Sequence, residues 1–192
     1  MEYIILEKIC KSYERKQVLF NVTASIPIGK VTCIMAPSGK GKTTLLKILM
    51  GLEKADKGNI FGLENLKKSV VFQENRLLEH LNPVTNIRFA NHQLEIPKIV
   101  QAMNKVGLSE CTSLPVRDLS GGMKRRVAIL RALLADYDIL FMDEPFIGLD
   151  NKIKIKVIED IRDRSKGYTV LFVTHDLREA KLMETENYIY LT

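Results

Sequence analysis

The run Ala36-Pro37-Ser38-Gly39-Lys40-Gly41-Lys42-Thr43-Thr44 carries the residue types that hold a polyphosphate. It follows the apolar stretch Val31–Met35 and leads into a helical pattern, so it reads as a strand, a glycine-rich turn and a helix start. Small residues among Ser38, Gly39, Lys40 and Gly41 let backbone N–H groups converge on phosphate oxygens. Lys42 would reach the β- and γ-phosphates, Thr43 would place a hydroxyl on Mg²⁺, and Thr44 would cap the α-phosphate. The first position is Ala36 where glycine is usual, a change that is harmless only if its φ is negative.

Downstream, Asp138-Ile139-Leu140-Phe141-Met142-Asp143-Glu144 is an apolar strand that ends in two acids. Such strands bury their middles and expose their C-terminal ends, where α/β sites form. Asp143 fits the Mg²⁺ shell and Glu144 fits a general base that polarises the attacking water. Alone, this run is equally a strand with an acidic turn, and the upstream phosphate loop decides between the two. Gln73 follows Val70-Val71-Phe72, where its amide suits Mg²⁺ or the attacking water. His175 follows Thr169–Val173, where an imidazole can hydrogen-bond the γ-phosphate and sense its loss. Tyr13 either stacks on a purine or fills the core. Last, Leu119-Ser120-Gly121-Gly122 opens a helix. A helix N-terminus has free donors and partial positive charge, two glycines let an anion approach, and Ser120 adds a hydroxyl. Seen alone it is a glycine-rich N-cap. Beside the phosphate loop it reads as a second anion site, which implies closure on nucleotide as a pair.

The elements that must position these groups alternate. Strands are expected near Ile4–Ile9, Gln17–Ile26, Val31–Met35, Ser69–Phe72, Ile139–Met142, Thr169–Val173 and Tyr188–Leu191. Helices are expected over Lys42–Leu52, from Gly121 to about Ala135, over Lys152–Arg164 and over Leu177–Glu184. Residues 83–118 read as short helical pieces broken by Pro83, Pro97, Gly107 and Pro115. Lys152–Val157 alternates like a strand, but length and the caps Asp150 or Asn151 favour helix. Alternating strands and helices give an α/β fold with a mainly parallel sheet covered on both faces. The 192 residues suit a single domain spanning 1–192. No apolar run approaches the ~20 residues that span a bilayer. Cys10, Cys33 and Cys111 lack metal or disulfide spacing. The net charge of +6 is dispersed and reads as solvated surface.

In this order, the motifs resemble the nucleotide-binding subunit of an ATP-binding cassette (ABC) transporter over almost the whole chain. Tyr13 matches the family's aromatic loop, Ala36–Thr43 its Walker A loop, Gln73 its Q-loop and Leu119–Met123 its signature. Leu140–Glu144 matches the Walker B strand and its base, Phe146–Asp150 the D-loop, and His175 the switch histidine. Departures are Ala36, Met123 and Arg125, the last at a position where Gln is frequent; none removes a group the chemistry requires.

The resemblance implies a P-loop NTPase core with flanking helices, an N-terminal antiparallel β subdomain and a helical subdomain over about 74–135. It implies ATP and Mg²⁺ as cofactors. Two subunits would close head to tail, each ATP lying between Lys42 of one chain and Ser120, Gly121 and Gly122 of the other. Transmembrane permease subunits would dock on the Q-loop region at the cytoplasmic face of the membrane, and a substrate-binding protein would act outside; no nucleic acid is expected. Val71–Leu78 resembles the nitrate, sulfonate, taurine and bicarbonate importer branch. The short stretch after His175 leaves no room for a C-terminal regulatory domain. The competing reading is a soluble, non-transport cassette ATPase; a module that binds ATP without turnover is a third.

Overall fold

A computed structural model describes residues 2–14, 16–37 and 39–191. Its centre is a five-stranded sheet in the order β5-β6-β7-β3-β8. These strands are β3 (Val31–Met35), β5 (Lys68–Val71), β6 (Ile139–Asp143), β7 (Thr169–Val173) and β8 (Asn187–Tyr190). Every pairing among them is parallel. β6 and β7 are buried along their whole length, as strands covered on both faces must be. Alternate side chains of β6 serve two cores. Leu140 and Met142 pack on one face with Phe172 and Val127. Ile139 and Phe141 pack on the other with Leu171, Leu45 and Leu49.

The second core lies beneath a three-stranded antiparallel sheet, β2-β1-β4, made of β1 (Tyr3–Tyr13), β2 (Lys16–Pro27) and β4 (Lys57–Phe61). Helix α1 (Lys42–Met50) is sandwiched between the sheets through Leu45, Leu46 and Leu49. It stops at Met50 rather than at the expected Leu52, because Gly51 turns left-handed and caps it. β4 was not legible in the sequence. Most of Lys-Gly-Asn-Ile-Phe faces solvent, so there is no apolar alternation to read; pairing with β1 makes it a strand.

Between β5 and β6 the chain is helical: α2 (Pro83–Arg88), α3 (Ile96–Lys105), two short 3₁₀ turns and α4 (Gly121–Leu133). α4 begins at Gly121 as expected, capped by Ser120, whose Oγ accepts from the Met123 N–H at 3.3 Å. The ambiguous Lys152–Val157 stretch is helix, inside α5 (Asn151–Ser165). Asp150 caps it by accepting from the Lys152 and Ile153 N–H groups, both at 3.1 Å. α6 (Leu177–Leu182) follows β7. Among the described residues no helix is long and apolar enough to cross a membrane.

Candidate functional site

The parallel sheet delivers four segments to one edge. β5, β6, β7 and β3 are neighbours, and their C-terminal ends carry Gln73, Asp143 and Glu144, His175, and the glycine-rich loop. Sheets of this kind place ligands at that edge. A cleft of about 280 Å³ opens there, lined by Val18, Gly39, Gly41, Lys42, Thr43, Thr44, Gln73 and Glu144. Ser38 lies outside the described residues. Lys40 is exposed and does not line this cleft.

The loop is held by its own geometry. Gly41 has φ +82 and packs under β2: a Cβ there would meet the Val18 carbonyl oxygen at 2.8 Å and Leu19 Cδ2 at 2.7 Å. Only glycine lets the loop turn into α1 at this point. Ala36 is not among the described residues with positive φ, so its methyl carries no backbone strain. Lys42 is buried, and its Nζ donates to the carbonyl oxygens of Ala36 at 2.8 Å and Pro37 at 3.1 Å. That ammonium is therefore held within the loop, where it can exchange carbonyls for an anion's oxygens. No side chain caps the N-terminus of α1, so its first N–H groups are available to an anion.

Thr43 Oγ1 donates to Asp143 Oδ1 at 3.2 Å, joining the loop to the end of β6. Asp143 is buried, which raises its carboxyl above the usual range; the Glu144 charge adds to this, while the Thr43 hydrogen bond, Lys47 and Arg125 oppose it. A hydroxyl and one carboxylate are the donor set by which Mg²⁺ is held together with phosphate oxygens. Among the described residues no cluster of three or more His, Cys, Asp or Glu forms a metal cage. The loop and this pair thus fit a Mg²⁺–polyphosphate.

Glu144 adopts φ +44, an unusual conformation for a side-chain-bearing residue that costs about 1–2 kcal/mol. Its N–H donates to the Val173 carbonyl at 3.1 Å, and its carboxylate faces His175, with Oε2 and Nδ1 3.8 Å apart. Strain of this kind concentrates where a side chain must be aimed. His175 and Gln73 are exposed on the rim. Tyr13 does not line the cleft; its ring is half exposed at the end of β1, with Lys11 Nζ 5.4 Å from its centroid.

Ser120, Gly121 and Gly122 do not line the cleft of their own chain. A Cβ on Gly121 would meet nothing within 4 Å, whereas one on Gly122 would lie 3.2 Å from the Gly148 carbonyl oxygen. Gly122 is explained by the close approach of α4 to the Phe146–Asp150 turn; Gly121 has no such reason within this chain.

Two groups of functional residues were missed by sequence reasoning. Arg125, noted only as a departure, is buried and donates to several main-chain carbonyls around the site. Burial pushes its guanidinium down to about 10, against the charges of Asp143 and Glu144 that hold it up, so it stays charged at neutral pH. It shares a helix face with Ile129 and Ala132, and a charge in that apolar stripe signals an interior role. The other group is Lys154, Glu179 and Thr174. Lys154 Nζ donates to Glu179 Oε1 at 2.7 Å, and Thr174 Oγ1 donates to Glu179 Oε2 at 2.5 Å. Together they fasten the segment preceding His175 to α5.

A sequence profile described as ABC transporter matches residues 19–147. The chain is 36% identical over 197 residues to the spermidine/putrescine import ATP-binding protein of Acetivibrio thermocellus, covering 94% of this chain and 56% of that relative. It is 35% identical over 203 residues to a probable sulfate/thiosulfate import ATP-binding protein of Chlorella vulgaris, covering 95% of this chain and 85% of that one. A solved dimeric bacterial ABC transporter cassette superposes with a TM-score of 0.85 at 27% identity, covering 98% of this chain and 94% of that structure. A cleft built from these segments, on this sheet order and with these relatives, has one assignment: the chain belongs to the ABC transporter family. It spans 56% of the length of the Acetivibrio relative. These relatives are named for spermidine/putrescine and sulfate/thiosulfate import, not for the nitrate, sulfonate, taurine and bicarbonate branch that Val71–Leu78 resembles.

Proposed function

We propose that this chain is the ATP-binding and ATP-hydrolysing subunit of an ABC importer. The observation that carries this is the convergence of Lys42, Thr43, Asp143 and Glu144 on one cleft. ATP with Mg²⁺ supplies the polyphosphate whose terminal bond is broken by water. Lys42 and the N–H groups opening α1 hold the phosphates, Gly39, Gly41 and Thr44 line their approach, and Thr43, Asp143 and Gln73 would hold Mg²⁺, which would offset the phosphate charge. Glu144 takes the proton of the attacking water and His175 steadies the oxygens that gain charge. Tyr13 and Lys40, both exposed, would serve the rest of the nucleotide.

The second half of the site comes from a partner. Ser120 and Gly121 stand apart from Lys42 in one chain, and the unfilled space at Gly121 suits an anion held by another copy or a paired ATPase subunit. Closure head to tail then lets nucleotide shift a population of conformations. Permease subunits in the membrane, with this chain at their cytoplasmic face, would use that motion, and an extracytoplasmic binding protein would deliver cargo. The import names of the relatives support this direction. The resemblance of Val71–Leu78 to the nitrate, sulfonate, taurine and bicarbonate importers is a narrower proposal about ancestry, and cargo is chosen by those partners.

The test is Glu144→Gln. Turnover falls by on the order of 1,000-fold, and ATP with Mg²⁺ drives the variant into a dimer by size-exclusion chromatography. Normal steady-state hydrolysis by the variant rejects Glu144 as the base. A monomer at saturating ATP rejects the paired site.

A further inference from the structure

We propose that Arg125 is a positioning residue that ties the Gln73 loop to the end of β6 and keeps the Glu144 carboxylate aimed into the cleft. The residue is 4% exposed, and its guanidinium lies between two segments. On one side Nη1 donates to the carbonyl oxygens of Phe72 and, at 3.2 Å, Gln73. On the other, Nη2 donates to the carbonyls of Asp143 at 3.0 Å and Glu144 at 2.9 Å, and Nε donates to that of Pro145 at 2.8 Å. Its one side-chain acceptor among the described residues is Asn75 Oδ1, at 3.5 Å, so the shorter hydrogen bonds all fix backbone.

The geometry explains why this is positioning rather than packing. Glu144 holds an unfavourable left-handed backbone, and such a conformation persists only where its surroundings over-determine it. Three hydrogen bonds do so: the Glu144 N–H donates to the Val173 carbonyl, and the Glu144 carbonyl accepts from the Ile147 N–H at 3.4 Å and from Arg125 at the shorter 2.9 Å. The same guanidinium holds the loop that presents Gln73, so Gln73 and Glu144 share one anchor on α4, four residues from Gly121. Arg131 holds the loop alone, donating to the carbonyls of Asn75 at 3.2 Å and Arg76 at 2.7 Å. A planar fork reaches both sides at once; lysine offers a point donor and glutamine a shorter amide.

This inference rests on the ATPase reading for its kinetic consequence but not for its structural one, so the test measures both. In the full chain, Arg125→Gln and Arg125→Lys are compared with Arg131→Lys. Both Arg125 variants are expected to speed tryptic cleavage after Arg76 and hydrogen exchange at the Glu144 amide by ~10-fold or more, while amides of β3 and α1 keep their rates. Arg131→Lys speeds the cleavage without the exchange. In the Arg125 variants kcat falls ~10–100-fold with the KM for ATP changed by less than about twofold, because the phosphate loop is untouched. Faster exchange throughout the chain, no change at Glu144, or an unchanged kcat overturns the proposal. If cleavage and exchange respond but the parent chain has no ATPase activity, the tether stands and the functional reading fails. Should neither Arg125 variant fold, the unsubstituted chain decides: cleavage after Arg76 and exchange at Glu144 must report one opening constant, and separate constants overturn the shared anchor.

Discussion

Gly121→Ala separates what the isolated chain needs from what a partner needs. Gly121 is the first residue of α4, its φ is not in the left-handed range, and an added Cβ meets nothing within 4 Å. Glycine costs ~1 kcal/mol relative to alanine inside a helix, and roughly half to all of that applies at an ordered, capped helix start. Alanine should therefore stabilise the free chain by ~0.5–1 kcal/mol, raising the Tm by roughly 1–4 °C for a protein of this size. Gly122→Ala is the control, with the same gain in propensity but a Cβ 3.2 Å from the Gly148 carbonyl oxygen, a backbone atom in a tight turn. That crowding cancels the gain or reverses it. The order of stability is then Gly121→Ala above the parent and the parent at or above Gly122→Ala, read by urea denaturation with far-UV circular dichroism, since the chain has no Trp. Function runs the other way at Gly121. The methyl occupies the space through which an anion would reach the N–H groups of α4, so ATPase activity at saturating ATP drops by on the order of 100-fold. A Gly121→Ala protein that is less stable than the parent, or one that hydrolyses ATP normally, refutes the claim that this position is reserved for something outside the chain.

Asp143→Asn tests the buried acid. Its raised carboxyl keeps a proton in the folded chain at pH values where the unfolded chain has already lost it, so stability declines as pH rises from about 4 through the folded-state value and stays lowered above it. Without divalent cations, Asp143→Asn should melt above the parent at neutral pH, with the difference closing toward pH 4; a variant that is less stable at neutral pH contradicts burial as the dominant cause. Lys154→Met should destabilise by ~2–4 kcal/mol, because it strands the Glu179 carboxylate beside Thr174 in a largely buried site. Adding Glu179→Gln should recover part of that loss, and strict additivity in a double-mutant cycle rejects the coupling.

The chemistry was legible in the sequence because it is local. The phosphate loop, the acidic end of β6, and the caps Ser120 and Asp150 each signal themselves within a few residues, and the apolar runs of β3, β6 and β7 fix the parallel sheet. Features made by long-range pairing were not legible. β4 is an exposed segment recruited by β1, and its residues have no reason to be a strand before that contact exists. The left-handed turn at Glu144 is imposed by its neighbours, and nothing in Asp143-Glu144-Pro145 announces it. Arg125 falls between these cases. Its helix face was readable from Ile129 and Ala132, but its carbonyl partners lie just past β5 and at and past the end of β6, and are brought together only by the folded sheet.

The distribution of burial argues that one chain is an incomplete catalyst. Lys42 and Asp143, the groups proposed to bind phosphate and metal, are buried and already held by hydrogen bonds within the chain. His175 and Gln73, which the proposed mechanism assigns to hydrolysis, lie on an open rim, and the 3.8 Å between His175 Nδ1 and Glu144 Oε2 is too long for a hydrogen bond. Electrostatic stabilisation of a reacting phosphate is weak in open water and grows when water is excluded. Among the described residues Gln73 and His175 stay exposed, and Ser120 and Gly121, the groups suited to an outer phosphate, do not line their own cleft. On the proposed function, binding can therefore precede closure, while efficient hydrolysis waits for a second surface. The physical consequence is that nucleotide affinity should survive dilution and turnover per chain should not. ATPase activity that stays constant per chain as protein concentration falls below the dimer's dissociation constant would remove the need for the partner altogether.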